Sequence, residues 1–302
     1  MKFVVTGGAG FIGSNIVDLL IDQGHSVCVI DNFSTGKKEN CNEKAIYHEL
    51  DLSIKKNFDN IKSIVNGADG LFHLAALPRV QESIENPFLF EKNNTLSTIN
   101  VLKACSEMQV KRVVYSASSS AYGNTEKLPS KETDPINPIS PYAMQKYYGE
   151  VCCKMFANVY NIETVSLRYF NVYGERQSLE GAYALVMCVF AKQRLMNQPL
   201  TIRGDGEQRR DFTHVKDIAR ANLLAMQSNN VGKGEVINIG NCDNRSVNQI
   251  AEMIGGPTIN IDPVVEPRET LADNNKAKQL LNWEPKVIIE EWVPKYKKDI
   301  GI

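Results

Sequence analysis

The period of the apolar residues changes at regular intervals along the first half of the chain. Lys2–Thr6 is a short apolar run of strand length, and Gly13–Gln23 then places Ile16, Leu19 and Leu20 at helical spacing. Ser26–Ile30 reads as a second strand that ends in Asp31. Leu71–Ala75, Arg112–Ser116 and Glu163–Leu167 are predicted as further strands, with helices over Thr95–Met108 and Tyr142–Tyr160. Strands that alternate with helices predict an α/β fold: a doubly wound parallel sheet covered by helices on both faces.

Beyond about Asn171 the pattern is irregular. A helix is expected over Ala182–Asn197, a turn-rich stretch over Gly204–Arg210 and one more strand of the sheet at Glu235–Ile239. From Ser246 the pattern predicts a short helix, a proline-containing strand-like section and a last helix. The expected organisation is therefore a large domain from residues 1–170 plus about 213–240, and a smaller mixed α/β lobe from about 171–212 plus 241–302. No internal repeat or low-complexity linker separates them, so the two are expected to share one interface.

Composition narrows the possible functions. The 302 residues are 43% hydrophobic and 23% charged, enough apolar material for a sizeable core. A formal net charge of −1 leaves no broad electrostatic footprint for nucleic acid or an anionic membrane. The seven cysteines include no Cys-x-x-Cys, and the four histidines are scattered, so no metal site is expected. No secretory leader and no run of about 18 apolar residues is visible, which makes the cytoplasm the expected location.

Between the first strand and first helix lies Thr6-Gly-Gly-Ala-Gly-Phe-Ile-Gly13, with glycines at 7, 10 and 13. Glycine permits the tight turn and lets backbone approach a pyrophosphate, while the helix N-terminus offers N–H groups and a positive dipole. Asp31, 18 positions after Gly13, stands where a carboxylate can accept hydrogen bonds from the ribose hydroxyls. It would repel a 2′-phosphate, and no Arg or Lys follows it until Lys37, so NAD is expected rather than NADP. Asp51-Leu52, after the next strand-like stretch, is the candidate to meet the adenine ring.

Tyr142 and Lys146 are four apart in a helical stretch and so share one face. A free phenol, with a pKa near 10, is a poor base at neutral pH. A neighbouring ammonium and the positive nicotinamide are expected to lower that value and let Tyr142 exchange a proton with a substrate hydroxyl. Ser116-Ala-Ser-Ser-Ser-Ala-Tyr-Gly123 closes a strand, and hydroxyls at a strand C-terminus in such a sheet face the ligand crevice.

Together these residues resemble the extended short-chain dehydrogenase/reductase family, specifically its nucleotide-sugar epimerases, over nearly the whole chain. Further shared stretches are Asp31–Gly36, His73-Leu-Ala-Ala76, Pro141–Lys146, Leu167–Gly174 and Arg210–Asp217. The resemblance implies a Rossmann domain and a catalytic set of Ser118, Tyr142 and Lys146. Tyr142 would be the acid/base, Lys146 would bind the nicotinamide ribose, and Ser118 would bridge to the sugar hydroxyl. Tightly bound NAD would meet Gly7, Gly10, Phe11, Ile12 and Gly13 of the first turn, and Asp31, Asn32, Ser34 and Gly36 of the second. It would also meet Asp51, Leu52, Leu74, Ala75, Ala76, Asn93, Ser116 and Tyr169, with Tyr142 and Lys146. The substrate would meet Ser118, Tyr142, Asn171, Arg210, Arg268 and Thr270. Arg210 also admits a purely structural reading, as a surface ion pair with Asp211 or Glu207.

The family's dehydratases and glucuronate decarboxylases carry an acid shortly after the serine or threonine of this stretch. Ser119, Ser120 and Ala121 stand there instead, which favours C4 epimerisation through a 4-keto sugar. Asn171–Gln177 followed by Gly181-Ala-Tyr-Ala184 looks like the branch that handles UDP-N-acetylhexosamines, with Thr270 as a small gate beside the sugar. UDP-glucose/UDP-galactose and UDP-glucuronate remain alternatives, as do a dehydratase or reductase and a non-catalytic NAD-binding protein. The family's Arg-x-Gly-Asp stretch before this Ala-Asp is absent, and the spacing from Arg268 to Asp273 is short. A homodimer is implied, paired through Thr95–Met108 and Tyr142–Tyr160 as a four-helix bundle, with Ile99, Leu102, Val151 and Met155 available to it.

Overall fold

The computed structural model describes residues 1–125, 127–178, 185–263 and 267–302. The chain opens with β1 (Lys2–Thr6), α1 (Phe11–Asp22), β2 (Ser26–Asp31), β3 (Ile46–Glu49), α2 (Phe58–Val65) and β4 (Gly70–His73). Two short helices, α3 (Val80–Glu85) and α4 (Pro87–Glu91), lead through a π-helical turn at Lys92–Leu96 into α5 (Ser97–Glu107). Then come β5 (Arg112–Ser118), α6 (Pro141–Tyr160) and β6 (Glu163–Tyr169). The second half holds β7 (Val172–Tyr173), α7 (Val186–Leu195), β8 (Leu200–Arg203), β9 (Arg209–Asp211), β10 (Thr213–His214), α8 (Val215–Gln227) and β11 (Lys233–Ile239). It ends with β12 (Asn244–Ser246), α9 (Val247–Ile254), β13 (Thr258–Ile261), α10 (Asn275–Leu281) and α11 (Ile289–Ile300).

Seven strands form one parallel sheet in the order β11-β6-β5-β4-β1-β2-β3. Strand order reverses between β1 and β4, which opens a crevice at their C-terminal ends. Successive residues of β1 serve opposite faces, as strand geometry requires. Phe3 and Val5 pack with α1 and α8, whereas Val4 joins Ile30, Leu71 and Val113 under α2, α5 and α6. A strand buried on both faces reads as a continuous apolar run, and each fully buried side chain of this kind contributes about 1.5–3 kcal/mol.

The longest helix, α6, begins with Pro141 at its first position and Ser140 as cap, whose Oγ accepts from the Ala143 N–H at 3.2 Å. Those are favoured residues at a helix start. It ends at Asn161 in the left-handed conformation (φ 54°).

The smaller lobe contains three two-stranded pairs, β7 with β10, β8 with β13 and β9 with β12. Its own core gathers Tyr173, Phe190, Leu200, Phe212, Ile250 and Val293. The expected helix over Ala182–Asn197 runs from Val186 to Leu195, and Gly181–Ala184 lies outside the described residues. Helix α8 does not announce itself in the sequence because its cap is His214, whose ring nitrogen accepts from the Lys216 N–H. The stretch 241–302, assigned as a whole to the smaller lobe, divides in the structure. Ala277, Leu281 and Trp283 pack into the core under the large sheet. Trp283 Nε1 donates to the Asp217 carbonyl at 2.9 Å, which anchors the return.

Candidate active site

The crevice at the switch point is lined by the β1–α1 turn, the end of β2, the loop after β4 and the start of α6. Gly7 has φ +70°, and a Cβ there would lie 2.8 Å from the Ala75 nitrogen. At Gly13 a Cβ would come within 2.1 Å of the Gly7 carbonyl oxygen, so the helix can enter the turn only at a glycine. This is backbone cleared for a pyrophosphate at a helix N-terminus. Thr6 Oγ1 accepts from the Leu74 and Ala75 N–H groups, both at 3.1 Å, and so ties the facing wall to β1.

Asp31 closes β2 with its side chain 7% exposed. Its Oδ2 accepts from the Ala9 N–H at 2.9 Å and its Oδ1 from the Phe33 N–H at 2.8 Å. Two oxygens offer about four acceptor sites, so capacity remains for ribose hydroxyls. Every residue expected to meet the cofactor lines this crevice, Asn93 of the π-helical turn included. Leu77, Pro78, Ser53 and Ser97 line it too and were not expected. They carry no motif of their own and reach the site only through the loop after β4 and the first turns beyond β3 and the π-helical turn.

Tyr142 and Lys146 line the same crevice as the glycine turn. The Tyr142 N–H donates to Ser83 Oγ at 3.1 Å, which seats the first turn of α6 against α3. Lys146 is 5% exposed, and its Nζ donates to the Ser116 carbonyl at 2.7 Å. Burial pushes the Lys146 ammonium down to about 8, with Glu150 opposing. Tyr142 differs from expectation: its packed surroundings push the phenol up from its ordinary value, and the Ser118 hydroxyl only eases that rise. The Lys146 ammonium is turned to the β5 carbonyl rather than to the phenol. Lys146 therefore does not supply the expected lowering.

Ser118 is held at the β5 terminus, where its Oγ accepts from the Ser120 hydroxyl at 2.8 Å. Asn171 and Thr270 do not line this crevice, but Asn171 Nδ2 donates to Thr270 Oγ1 at 3.2 Å, bringing together two expected substrate residues distant in sequence. Between them lies Asp211, fully buried, whose carboxylate accepts the N–H groups of Asn241 (2.7 Å), Cys242 (3.1 Å) and Ala272 (3.0 Å). Burial raises its pKa to about 6 against those donors. No motif pointed to Asp211 beyond its place in the Arg210–Asp217 stretch.

The two acids considered for Arg210 are engaged elsewhere, Asp211 as above and Glu207 by Asn248 Nδ2 at 2.6 Å. Arg268 is not brought to the crevice: it is 64% exposed and forms a forked pair with Asp205 at 2.8 and 2.9 Å. Among the described residues no cluster of His, Cys, Asp and Glu could hold a metal ion, and no helix is long and apolar enough to cross a membrane.

Comparison with known proteins agrees with this geometry. Residues 3–240 match the NAD dependent epimerase/dehydratase family. A putative UDP-glucose 4-epimerase of Methanocaldococcus jannaschii is 38% identical, the match covering 96% of this chain and 95% of that protein. The crystal structure of the UDP-glucose 4-epimerase of Thermotoga maritima with UDP-glucose superposes with a TM-score of 0.91 at 38% identity, covering 99% of this chain and 100% of the other. The UDP-N-acetylglucosamine 4-epimerase of Methanobrevibacter ruminantium, in complex with UDP-N-acetylmuramic acid, gives 0.91 at 34% identity, covering 99% and 97%. The chain belongs to the NAD-dependent epimerase/dehydratase family and is an enzyme whose cofactor is NAD.

Proposed function

We propose that this enzyme interconverts the C4 epimers of a UDP-hexose, with UDP-N-acetylglucosamine and UDP-N-acetylgalactosamine as its pair. The observation that carries the reading is that Tyr142 and Lys146 line one crevice with Gly7, Gly13 and Asp31. Among the described residues the only carboxylates lining that crevice are Asp31 and Asp51, which come from the ends of β2 and β3. A dehydratase or decarboxylase would need an acid near Ser118, where Ser119, Ser120 and Ala121 stand.

When bound, NAD supplies the redox chemistry at the sugar C4, taking up a hydride and giving it back. Tyr142 accepts the C4 hydroxyl proton and later returns it, while Ser118 holds the same oxygen. Lys146 orients the nicotinamide ribose. Asn171 and Arg210 hold the diphosphate about which the 4-keto sugar turns. Arg268 joins them only by giving up its pair with Asp205. Thr270, beside Asn171, is smaller than a tyrosine and leaves room for an N-acetyl group. The glucose names of two of the relatives support UDP-glucose/UDP-galactose as the second reading.

The enzyme works as a homodimer in this reading. Met144, Tyr148, Val151, Met155 and Val159 are all exposed and form one stripe along α6. Leu102, expected to join them, is instead fully buried in its own core, and Ile99 packs against that core. Val151→Asp should convert dimer to monomer by light scattering, and an unchanged mass would exclude this face. We place the enzyme in the cytoplasm because its seven cysteines are all free thiols.

The deciding experiment supplies UDP-N-acetylglucosamine and UDP-glucose separately with catalytic NAD and follows the anomeric signals by NMR. The C4 epimer should appear without net NADH, faster from the N-acetyl sugar. The reverse preference would support the second reading. No epimer from either would turn attention to UDP-glucuronate, and accumulated keto sugar or NADH would overturn epimerisation.

A further inference from the structure

We propose that Glu150 is a positioning residue for this reaction: buried between Lys146, one turn earlier on α6, and Arg168 of β6, its carboxylate keeps the Lys146 ammonium charged and in place. The proposal rests on the role given to Lys146 above.

The geometry is a line of three buried charges. Lys146, Glu150 and Arg168 are 5%, 3% and 2% exposed. Arg168 Nε and Nη2 donate to Glu150 Oε1 and Oε2 at 2.9 and 2.7 Å, a planar fork. Residues four apart on a helix face the same way, so Glu150 lies one turn from Lys146 on the same face of α6. A buried ammonium keeps its proton only where charge and hydrogen bonds replace lost water.

Among the described residues no other acid is placed for this task. On β4, His73 is neutral, pushed down to about 3 by burial and then by Lys146 itself. On β5, the Tyr115 ring lies 5.0 Å from Lys146 Nζ, and burial holds its phenol well up. On α6, Tyr142 and Cys153 are likewise raised by burial and stay protonated. Arg168, from β6, is a cation. The acids on neighbouring elements have other partners: Glu82 of α3 pairs with Arg79, Glu91 of α4 accepts from Thr95 and Gln145, and Glu235 of β11 accepts from Gly232 and Lys233. Burial raises Glu150 in its turn, with Arg168 the first group to oppose it. Arg168 thus keeps Glu150 ionised, and Glu150 keeps Lys146 ionised.

A fork that served stability alone would be disrupted from either end. An electrostatic role follows the charge on Glu150 rather than the shape of the fork. The test is the titration of Lys146 by lysine Cε NMR in the full-length protein without sugar, its signal identified by Lys146→Met. Glu150→Gln should lower the midpoint by about one pH unit or more, a tenfold change in acid constant, and carry the alkaline limb of the activity profile with it. Arg168→Lys, which loses the fork but keeps the cation, should leave the midpoint within about 0.3 unit. If Glu150→Gln does not fold, Glu150→Asp should shift the midpoint the same way by less. An unmoved midpoint in the Glu150 variant, or an equal fall in Arg168→Lys, would overturn the proposal. Because the titration reads the ammonium without substrate, its failure is distinct from a failed epimerase assay.

Discussion

The two ends of the site are built in different ways. At the cofactor end, each wall is a turn between consecutive elements, and each turn carries its own chemistry: Gly7 and Gly13 at β1–α1, Asp31 at the end of β2, Ala75 after β4. At the end proposed for the substrate, Asn171, Arg210 and Thr270 come from three separate passes of the chain. Asn171 and Thr270 are tied by their own hydrogen bond and by the Asp211 backbone, whose carbonyl accepts from Asn171 Nδ2 and whose N–H donates to Thr270 Oγ1. Local construction makes the first end rigid and recognisable. Remote construction makes the second depend on contacts between distant segments.

Substitutions at each end should separate the two. Tyr142→Phe removes the proton carrier and should lower kcat about 10²–10⁴-fold while NAD stays bound, read from initial rates and cofactor content. Gly13→Ala should strike the cofactor end alone. The methyl group collides with the Gly7 carbonyl, and an overpacking cost of about 1–3 kcal/mol should appear as lost NAD and a lower Tm. Retention of full NAD content would break the picture of a cleared backbone.

At the substrate end, Thr270→Tyr should reduce kcat/KM for UDP-N-acetylglucosamine about 10–100-fold relative to UDP-glucose, with NAD content unchanged. Equal losses on both sugars would remove Thr270 as a gate. The smallest effect is expected from Asp211→Asn, as a raised KM for the sugar and an altered pH dependence of stability. Because the folded protein raises Asp211 to about 6, its contribution is fully present below the unfolded carboxylate pKa near 3.9 and is lost as pH rises through about 6. The Tm of the parent should therefore carry a falling component between about pH 4 and 6 that the asparagine variant lacks.

The same contrast explains what could be read in advance. The parallel sheet and the glycine turn follow from residues close in sequence, and those residues meet in the crevice. Less visible was whatever depends on a distant partner. Helix α8 starts at a histidine cap rather than at Ser, Thr, Asp or Asn. Trp283 returns to the large core because the Asp217 carbonyl awaits it, and nothing local signals that. Leu102 and Val151 look alike as apolar helix positions, yet one is core and the other faces outward. The raised phenol of Tyr142 comes from its packed surroundings, and the Lys146 ammonium is bonded to a β5 carbonyl, neither of which the Tyr-x-x-x-Lys spacing shows.

The three N–H groups gathered by Asp211 also order the birth of the enzyme. A chain made from its N-terminus has the glycine turn, Asp31 and the start of α6 in hand long before Ala272 emerges to complete that carboxylate's shell. The crevice lining, from Gly7 to Tyr169, is thus complete in sequence before that shell, although the core beneath its sheet still waits for Trp283.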